Sequence, residues 1–426
     1  MASGGNCAEN PPRSADDRRG QRKNSGPLRR HGSAGRTRRT RGAEVTNAFL
    51  DGYLVVEIGR SRAAANAGKQ LADAGAHVVA LQDTQRLDNL GADARTYLDP
   101  AKDVVSWNRQ DDAVLVDELI AHADAVVTDL PTQELKERGL DADTLRKRWP
   151  KLSYVALTSV GWDTPEISPA GELTMQAESG LMHMVGHPDR EPLSLPYGMG
   201  SLQLGLHGAA AAATALYVAT TTGRGRLIEI SGVDVLASYV RIYGAVANYY
   251  NIPLRRDGRR APGSGGRYPF GLFPCKDGYV AMICRADREW ASLLEMMGNP
   301  EWSRTARYSN LYAIAMEYPD EVDALIEPWL MKRTRAELLE LAQKFAIPVA
   351  PVKTIPEVAE DPQLREHRHF FDTIVTDAGR EVVVPGRPWA SPERRLTQRP
   401  PRPLADVVGD LAGAGRRITE MEAVAR

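Results

Sequence analysis

Five side chains in this sequence stand out for the chemistry they could do: one hydroxyl, three imidazoles and one acid. Ser201 opens a small-residue stretch, "LPYGMGSLQLGLHGAAAAATALYVATTTGRG" (195–225), with Gly200 before it and His207 six residues on. On one helix that spacing turns two side chains to different faces, so a serine–histidine hydrolase pair is not expected. His183 and His187 in "HMVGH" have the i, i+4 spacing of metal ligands. They lack the acidic partner motif and a third ligand, so an ordinary histidine pair and no metal are expected. Glu172, in "PAGELTMQAESG", reads first as an acid favoured by a helix N-terminus. It is also a carboxylate, and a carboxylate nucleophile forms an anhydride whose carbonyls stay reactive. A serine would form an ester far harder for an acid to open.

The elements that must hold these groups read as α/β. "YLVVEIG" (53–59), "RSRAAANAGKQLADAG" (60–75) and "AHVVALQ" (76–82) give strand, helix, strand in one parallel unit. "DDAVLVDELIAHA", "DAVVTDL", "LDADTLRKRWP" with Asp143 as its cap, and "LSYVALTSVG" continue the alternation of a doubly wound sheet. Ligands in such sheets sit beyond the strand ends, where Gly59, Asp129 and Thr158 fall. The first turn, "EIGRSRAAANAG", has no G-x-G-x-x-G, which argues against a nicotinamide cofactor. "ELTMQAESGLMHMVG" and "LGLHGAAAAATALYVATT" are helical and rich in small residues, fit for close approach or a subunit contact. Further on, "YPFGLFPC", "KDG" and "YVAMIC" form a hairpin, and "RTRAELLELAQKFAIPVAPVKTIPEVAEDPQ" is helix, strand and helix.

The totals are those of an ordinary globular protein: 42% hydrophobic, 26% charged and a formal net charge of −1. That balance gives no field to attract nucleic acid or a membrane. The Ala-rich run near 209–219 is shorter than the ~18 apolar residues of a membrane span. Cys7, Cys275 and Cys284 form no zinc spacing and fit a reducing, cytoplasmic location. Residues 1–46 are Arg-, Gly- and Ser-rich with almost no Leu, Ile, Val or Phe, and are expected to be a disordered tail.

In series, "GRSRAAANAGKQLADAGAHVVAL", "MQAESGLMHMVGHPD", "TGRGRLIEIS", "YPFGLFPCKDGYVAM", "IPVAPVKTIPEVAEDPQLREHRHF" and "VPGRPW" resemble the family III CoA-transferases, or carnitine-dehydratase/bile-acid-inducible family. The resemblance implies a large Rossmann-like domain built from residues 47–245 and 341–415, a smaller middle domain over 246–340, and a tail at 416–426. It also implies two interlocked chains, homodimer or heterodimer. The chemistry implied moves CoA between an acyl-CoA and an organic acid, with CoA as substrate and no resident cofactor. A carboxylate attacks the thioester, the CoA thiolate attacks the resulting anhydride, and the acceptor acid takes CoA from the enzyme thioester.

Counting back from "TGRG" places the family's nucleophilic Asp at Ser201, with Gly200 as the alternative; neither is acidic. Glu172 is the alternative carboxylate. The racemase branch would need a His at Gly171 and an Asp at 201, and both are missing. CoA contacts implied by the resemblance fall on Arg62, Ala63, Arg138, Thr158 and Ser159, and a mobile glycine loop falls on Gly263, Gly265 and Gly266. The basic stretch expected after the second strand is replaced by "YLDPAKDVVSWN", and the proline turn is "TDLPTQ". The expectation is therefore a CoA-transferase-type protein, acting as an Asp-less subunit beside an Asp-bearing homologue. Alternatives are an acyl-CoA isomerase, lyase or racemase of altered chemistry using Glu172, and a non-catalytic binding protein on the same scaffold.

Overall fold

Strand β1 (Leu54–Ile58) is buried along its whole length, as a central strand covered on both faces must be. In the computed structural model, which describes residues 48–83, 90–108, 111–162, 171–261, 266–376, 378–389, 398–399 and 401–412, it centres a six-stranded parallel sheet. The other strands are β2 (His77–Asp83), β3 (Asp103–Trp107), β4 (Ala125–Thr128), β5 (Ser153–Thr158) and β6 (Leu227–Ser231). Their order, β3-β2-β1-β4-β5-β6, is that of a doubly wound fold. Helices α1 (Arg62–Asp73), α2 (Gly91–Leu98), α3 (Ala113–His122), α4 (Thr132–Arg138) and α5 (Ala142–Arg148) connect the first five strands. Helices α6 (Glu172–Glu178) and α7 (Met199–Thr222) lie between β5 and β6, and α8 (Gly232–Tyr239) and α9 (Arg241–Tyr250) follow. The expected tails at 1–46 and 416–426 lie outside the described residues.

Alternation along β1 feeds two cores. Leu54, Val56 and Ile58 face a cluster completed by Leu119 and Leu145. Val55 faces the other, with Ala67, Leu71, Leu157 and Leu216. The C-terminal segment returns to the first core, where Leu404, Val407 and Val408 are buried. Asp103 ties the same segment to the sheet, accepting from His77 Nε2 at 2.6 Å and Arg399 Nη1 at 3.0 Å. Burial acts to raise the Asp103 carboxyl, but His77 and then Arg399 outweigh it and hold it below its ordinary range.

The small residues of α7 are needed because α1 lies directly beneath it. A Cβ on Gly205 would stand 2.4 Å from the Ala63 carbonyl oxygen, and one on Gly208 would stand 2.7 Å from Leu157. At 24 residues α7 is longer than the Ala-rich run suggested and, by length and composition alone, could cross a membrane. Its Leu204, Ala209, Ala212 and Leu216 are instead buried in the second core. The α5 cap is Asp141 rather than Asp143: its extended backbone lets the carboxylate accept from Thr144 N at 3.1 Å. Beneath α1, Lys102 is fully buried, with Nζ 2.8 Å from Glu57 Oε2, 3.2 Å from Asp99 Oδ1 and 2.8 Å from the Ala65 oxygen. Burial pushes the Glu57 carboxyl up to about 7 despite Lys102.

The middle of the chain builds its own antiparallel sheet from β7 (Phe270–Cys275), β8 (Gly278–Ile283) and β9 (Val349–Pro351). Helices α10 (Asp287–Met296), α11 (Leu311–Glu317), α12 (Pro319–Leu330) and α13 (Arg335–Lys344) complete a third core around Phe273, Leu293 and Ile326. Strand β9 pairs with β8, which carries this body past residue 340. Helix α14 (Ile355–Ala359) and the hairpin β10 (Phe371–Val375) and β11 (Glu381–Pro385) lead to the returning C-terminal segment.

Candidate functional site

Helix α7 starts without a side-chain cap of its own. Its N-cap is Gly198 in a left-handed conformation (φ 72°), and glycine is also required there because Arg62 Cδ would stand 2.8 Å from a Cβ. The free N–H groups of the first turn are met from 28 residues upstream. Glu172 Oε1 accepts from Gly200 N at 2.7 Å, and Oε2 accepts from Ser201 N at 2.7 Å and Ser201 Oγ at 2.5 Å. Gln176, one turn along α6, donates to Oε1 at 2.6 Å. Gln176 is itself buried and clasps the approach to α7, accepting from Leu195 N at 2.6 Å and donating to Leu195 O at 3.2 Å.

Partial burial acts to raise the Glu172 carboxyl. The Ser201 hydroxyl and N–H, Gln176 and Gly200 N–H outweigh it, and the group is held below the ordinary glutamate value. At neutral pH this is a carboxylate with both oxygens engaged by four donors. Glu172 and Ser201 thus meet: the acid and the hydroxyl singled out from the sequence share a hydrogen bond.

The Arg62 side chain packs against Gly198, and among the described residues it makes no ion pair. Ala63 is buried: its N–H donates to the N-cap Ser61 Oγ at 3.1 Å, and its carbonyl underlies Gly205. The start of α1 is filled by Asp129 of the "TDLPTQ" turn. That carboxylate accepts from Arg60 N and Ser61 N at 3.0 Å each, from Ala64 N at 3.3 Å, and from the Ser61 hydroxyl.

A cavity of about 80 Å³ lies next to it at the carboxyl ends of β1–β3, lined by Gly59, Arg60, Asp83, Trp107, Glu134 and Arg138. The Arg138 guanidinium is buried there, 2.8 Å from Asp83 and 2.9 Å from Glu134, with Trp107 beneath it. It is held by acids rather than presented as a free cation. Arg60 in turn pairs with Glu134 at 3.2 Å. Thr158 directs its hydroxyl to Glu229 of β6 and receives Gly161 N at 3.0 Å. The Ser159 carbonyl accepts from Val233 N at 3.1 Å.

Gly266 belongs to the middle body, where Tyr312 would stand 2.1 Å from a Cβ; Gly263 and Gly265 lie outside the described residues. His207 bonds its own helix through Gln203 O at 2.9 Å and packs edge-on against Tyr239. His183 and His187 give their backbone carbonyls to Arg256, and the His187 Nδ1 accepts from Asp189 N at 3.3 Å. No three His, Cys, Asp or Glu residues gather as metal ligands among the described residues.

Gln176, Asp83, Glu134 and Glu229 are the site-shaping residues the sequence did not disclose. Two of their contacts do have a local signal: Gln176 stands at i+4 from Glu172, and Glu134 at i−4 from Arg138.

Among characterised proteins, the chain is 25% identical to the succinate–glutarate CoA-transferase of Agrobacterium fabrum, over 79% of this chain and 87% of that one. It is 27% identical to the beta subunit of the succinyl-CoA–L-malate CoA-transferase of Chloroflexus aurantiacus, over 63% of this chain and 66% of that one. The alignment thus spans just under two thirds of that relative. The crystal structure of a CAIB/BAIF family protein from Brucella suis shares the fold, with a TM-score of 0.75 at 24% identity over 86% of this chain and all of that one. The description of CoA-transferase family III itself matches residues 50–406. Because that match runs from before the first strand into the C-terminal segment that closes the sheet, the chain belongs to CoA-transferase family III.

Proposed function

We propose that this chain serves CoA transfer between an acyl-CoA and an organic acid as the subunit without a nucleophile, beside a homologue that carries the Asp. The observation that carries this reading is the occupancy of Glu172. A nucleophilic carboxylate needs an oxygen lone pair free to meet the thioester carbon, and here both oxygens already accept, from two N–H groups, a hydroxyl and an amide. Donors that stabilise a carboxylate lower its nucleophilicity. Ser201 gives its proton to that acid, and an acyl-serine would be too stable for an acid acceptor to open. Arg138 supports the same reading, since Asp83 and Glu134 already balance its charge, and the Thr158 hydroxyl is given to Glu229. Arg62 is the uncommitted cation beside the pair and is assigned to an anionic group of the substrate.

A relative named as a beta subunit is the kind of protein this reading expects. Helix α9, with no buried residue and with Ile242, Tyr249 and Tyr250 exposed, offers apolar surface for a partner chain. Whether that partner is a second copy or a homologue is decided by co-purification from the source cell. Cys275 and Cys284, free and buried, suit a reducing cytoplasm.

The test follows isotope-labelled CoA exchange between acids, using the purified chain alone and with the co-purified partner. No turnover alone, turnover with the partner, and thioester exchange gained by Ser201→Asp are expected. Turnover by the chain alone that vanishes in Glu172→Gln would replace this reading with an enzyme that uses Glu172 itself.

A further inference from the structure

At the opposite edge of the sheet, where β5 and β6 begin, lies a hollow of about 200 Å³ lined by Ala142, Asp143, Arg146, Lys147, Arg224 and Gly225. It is remote from the Glu172–Ser201 pair: α7 has Ser201 in its first turn and Arg224 just past its last, ~35 Å away at 1.5 Å per residue. The backbone on one side of it is fixed. Gly225 N donates to Pro150 O at 3.0 Å, and a Cβ on Gly225 would stand 2.0 Å from Leu152 O, so this turn lies backbone on backbone. Arg226 holds the turn from outside, donating to the Arg224 and Gly225 carbonyls at 3.1 and 3.2 Å.

Three cations, Arg146, Lys147 and Arg224, face the hollow with Asp143 as its one acid, and none of the three makes an ion pair among the described residues. The neighbouring Arg148 shows the contrast, being closed onto Asp117. The ends of α5 and α7 both favour positive charge, which explains cations in these turns. Helix ends do not remove the repulsion of three cations around one hollow. Nor do they give a partner to Arg146 Nε, which is buried and makes no hydrogen bond.

We propose that this hollow is an anion site for a phosphoryl or diphosphoryl group. Two guanidinium forks and one ammonium suit the several oxygens and double charge of a phosphate better than a single carboxylate. The hollow is smaller than the ~300 Å³ at which sites for drug-sized ligands begin, so it takes the anionic group rather than a whole cofactor.

The test is calorimetric titration of the full chain with inorganic pyrophosphate and, separately, inorganic phosphate and AMP, at constant ionic strength. Saturable binding is expected, weakened at least about tenfold by Arg146→Ala or Arg224→Ala and unchanged by Arg307→Ala, a cation of the middle body already paired with Glu321. Binding by AMP as well as pyrophosphate would assign the site to phosphorylated metabolites, and binding by pyrophosphate or phosphate alone to the free ions. The proposal is overturned if no titration saturates, or if Arg62→Ala removes binding while Arg146→Ala and Arg224→Ala keep it. Circular dichroism of each variant separates lost binding from lost fold.

Discussion

Two helices start side by side at the strand ends, and each receives a carboxylate from another part of the chain. At α1 the carboxylate is Asp129, and it supplements a helix that already has its own cap, Ser61, whose Oγ accepts from Ala63 N. At α7 it is Glu172, and it replaces a cap: Gly198 has no side chain to offer. The first acid reinforces a finished helix end. The second supplies the only side-chain acceptor that the first turn of α7 receives among the described residues. One adds to an existing cap, and the other is the cap.

The widest separation between the two ends should come from truncating each acid. Glu172→Ala leaves two backbone N–H groups and a hydroxyl without their acceptor and is expected to cost about 2–4 kcal/mol. Asp129→Ala should cost about half as much, since Ser61 still caps. Urea denaturation of both variants measures the gap, and equal losses would erase the distinction.

The pH dependence follows in size. Glu172 has its folded carboxyl held below 4.5, so its stabilisation is complete above pH 4.5 and is lost as pH falls through the lower folded value. Glu57 has the opposite sign. Its folded value of about 7 against 4.5 means stability is fully present below pH 4.5 and declines as pH rises to 7, with Lys102, Asp99 and Asp129 as the charges around it. Melting temperature against pH, compared with Glu172→Gln and Glu57→Gln, should show two slopes of opposite sign flattened one at a time. The smallest effect belongs to Ser201→Ala. It removes one donor of four and should cost about 1 kcal/mol, leaving α7 capped by the remaining backbone bonds.

Much of the scaffold was legible because it is written locally. The β1–α1–β2 unit and the β7–β8 hairpin follow from apolar runs and turn residues. Strand β3 was not, because "DVVSW" holds a buried Asp103 and an exposed Ser106 that break the apolar run. Helix α7 begins earlier than its alanines suggest. Gly200, Gly205 and Gly208 weaken it by propensity, yet Glu172, Asn66 and Leu157 leave no room for anything larger. Ser201 and Glu172 could each be singled out from chain order. Their contact could not, since it joins residues 29 apart through space, and neither could the burial of Arg138 between Asp83 and Glu134.

The seating of Gly205 on the Ala63 carbonyl leaves no slack between α7 and the helix below it. The two therefore behave as a single beam. A graft that brings a new residue to position 201 takes its aim from the packing of α7 on α1, far upstream in the chain.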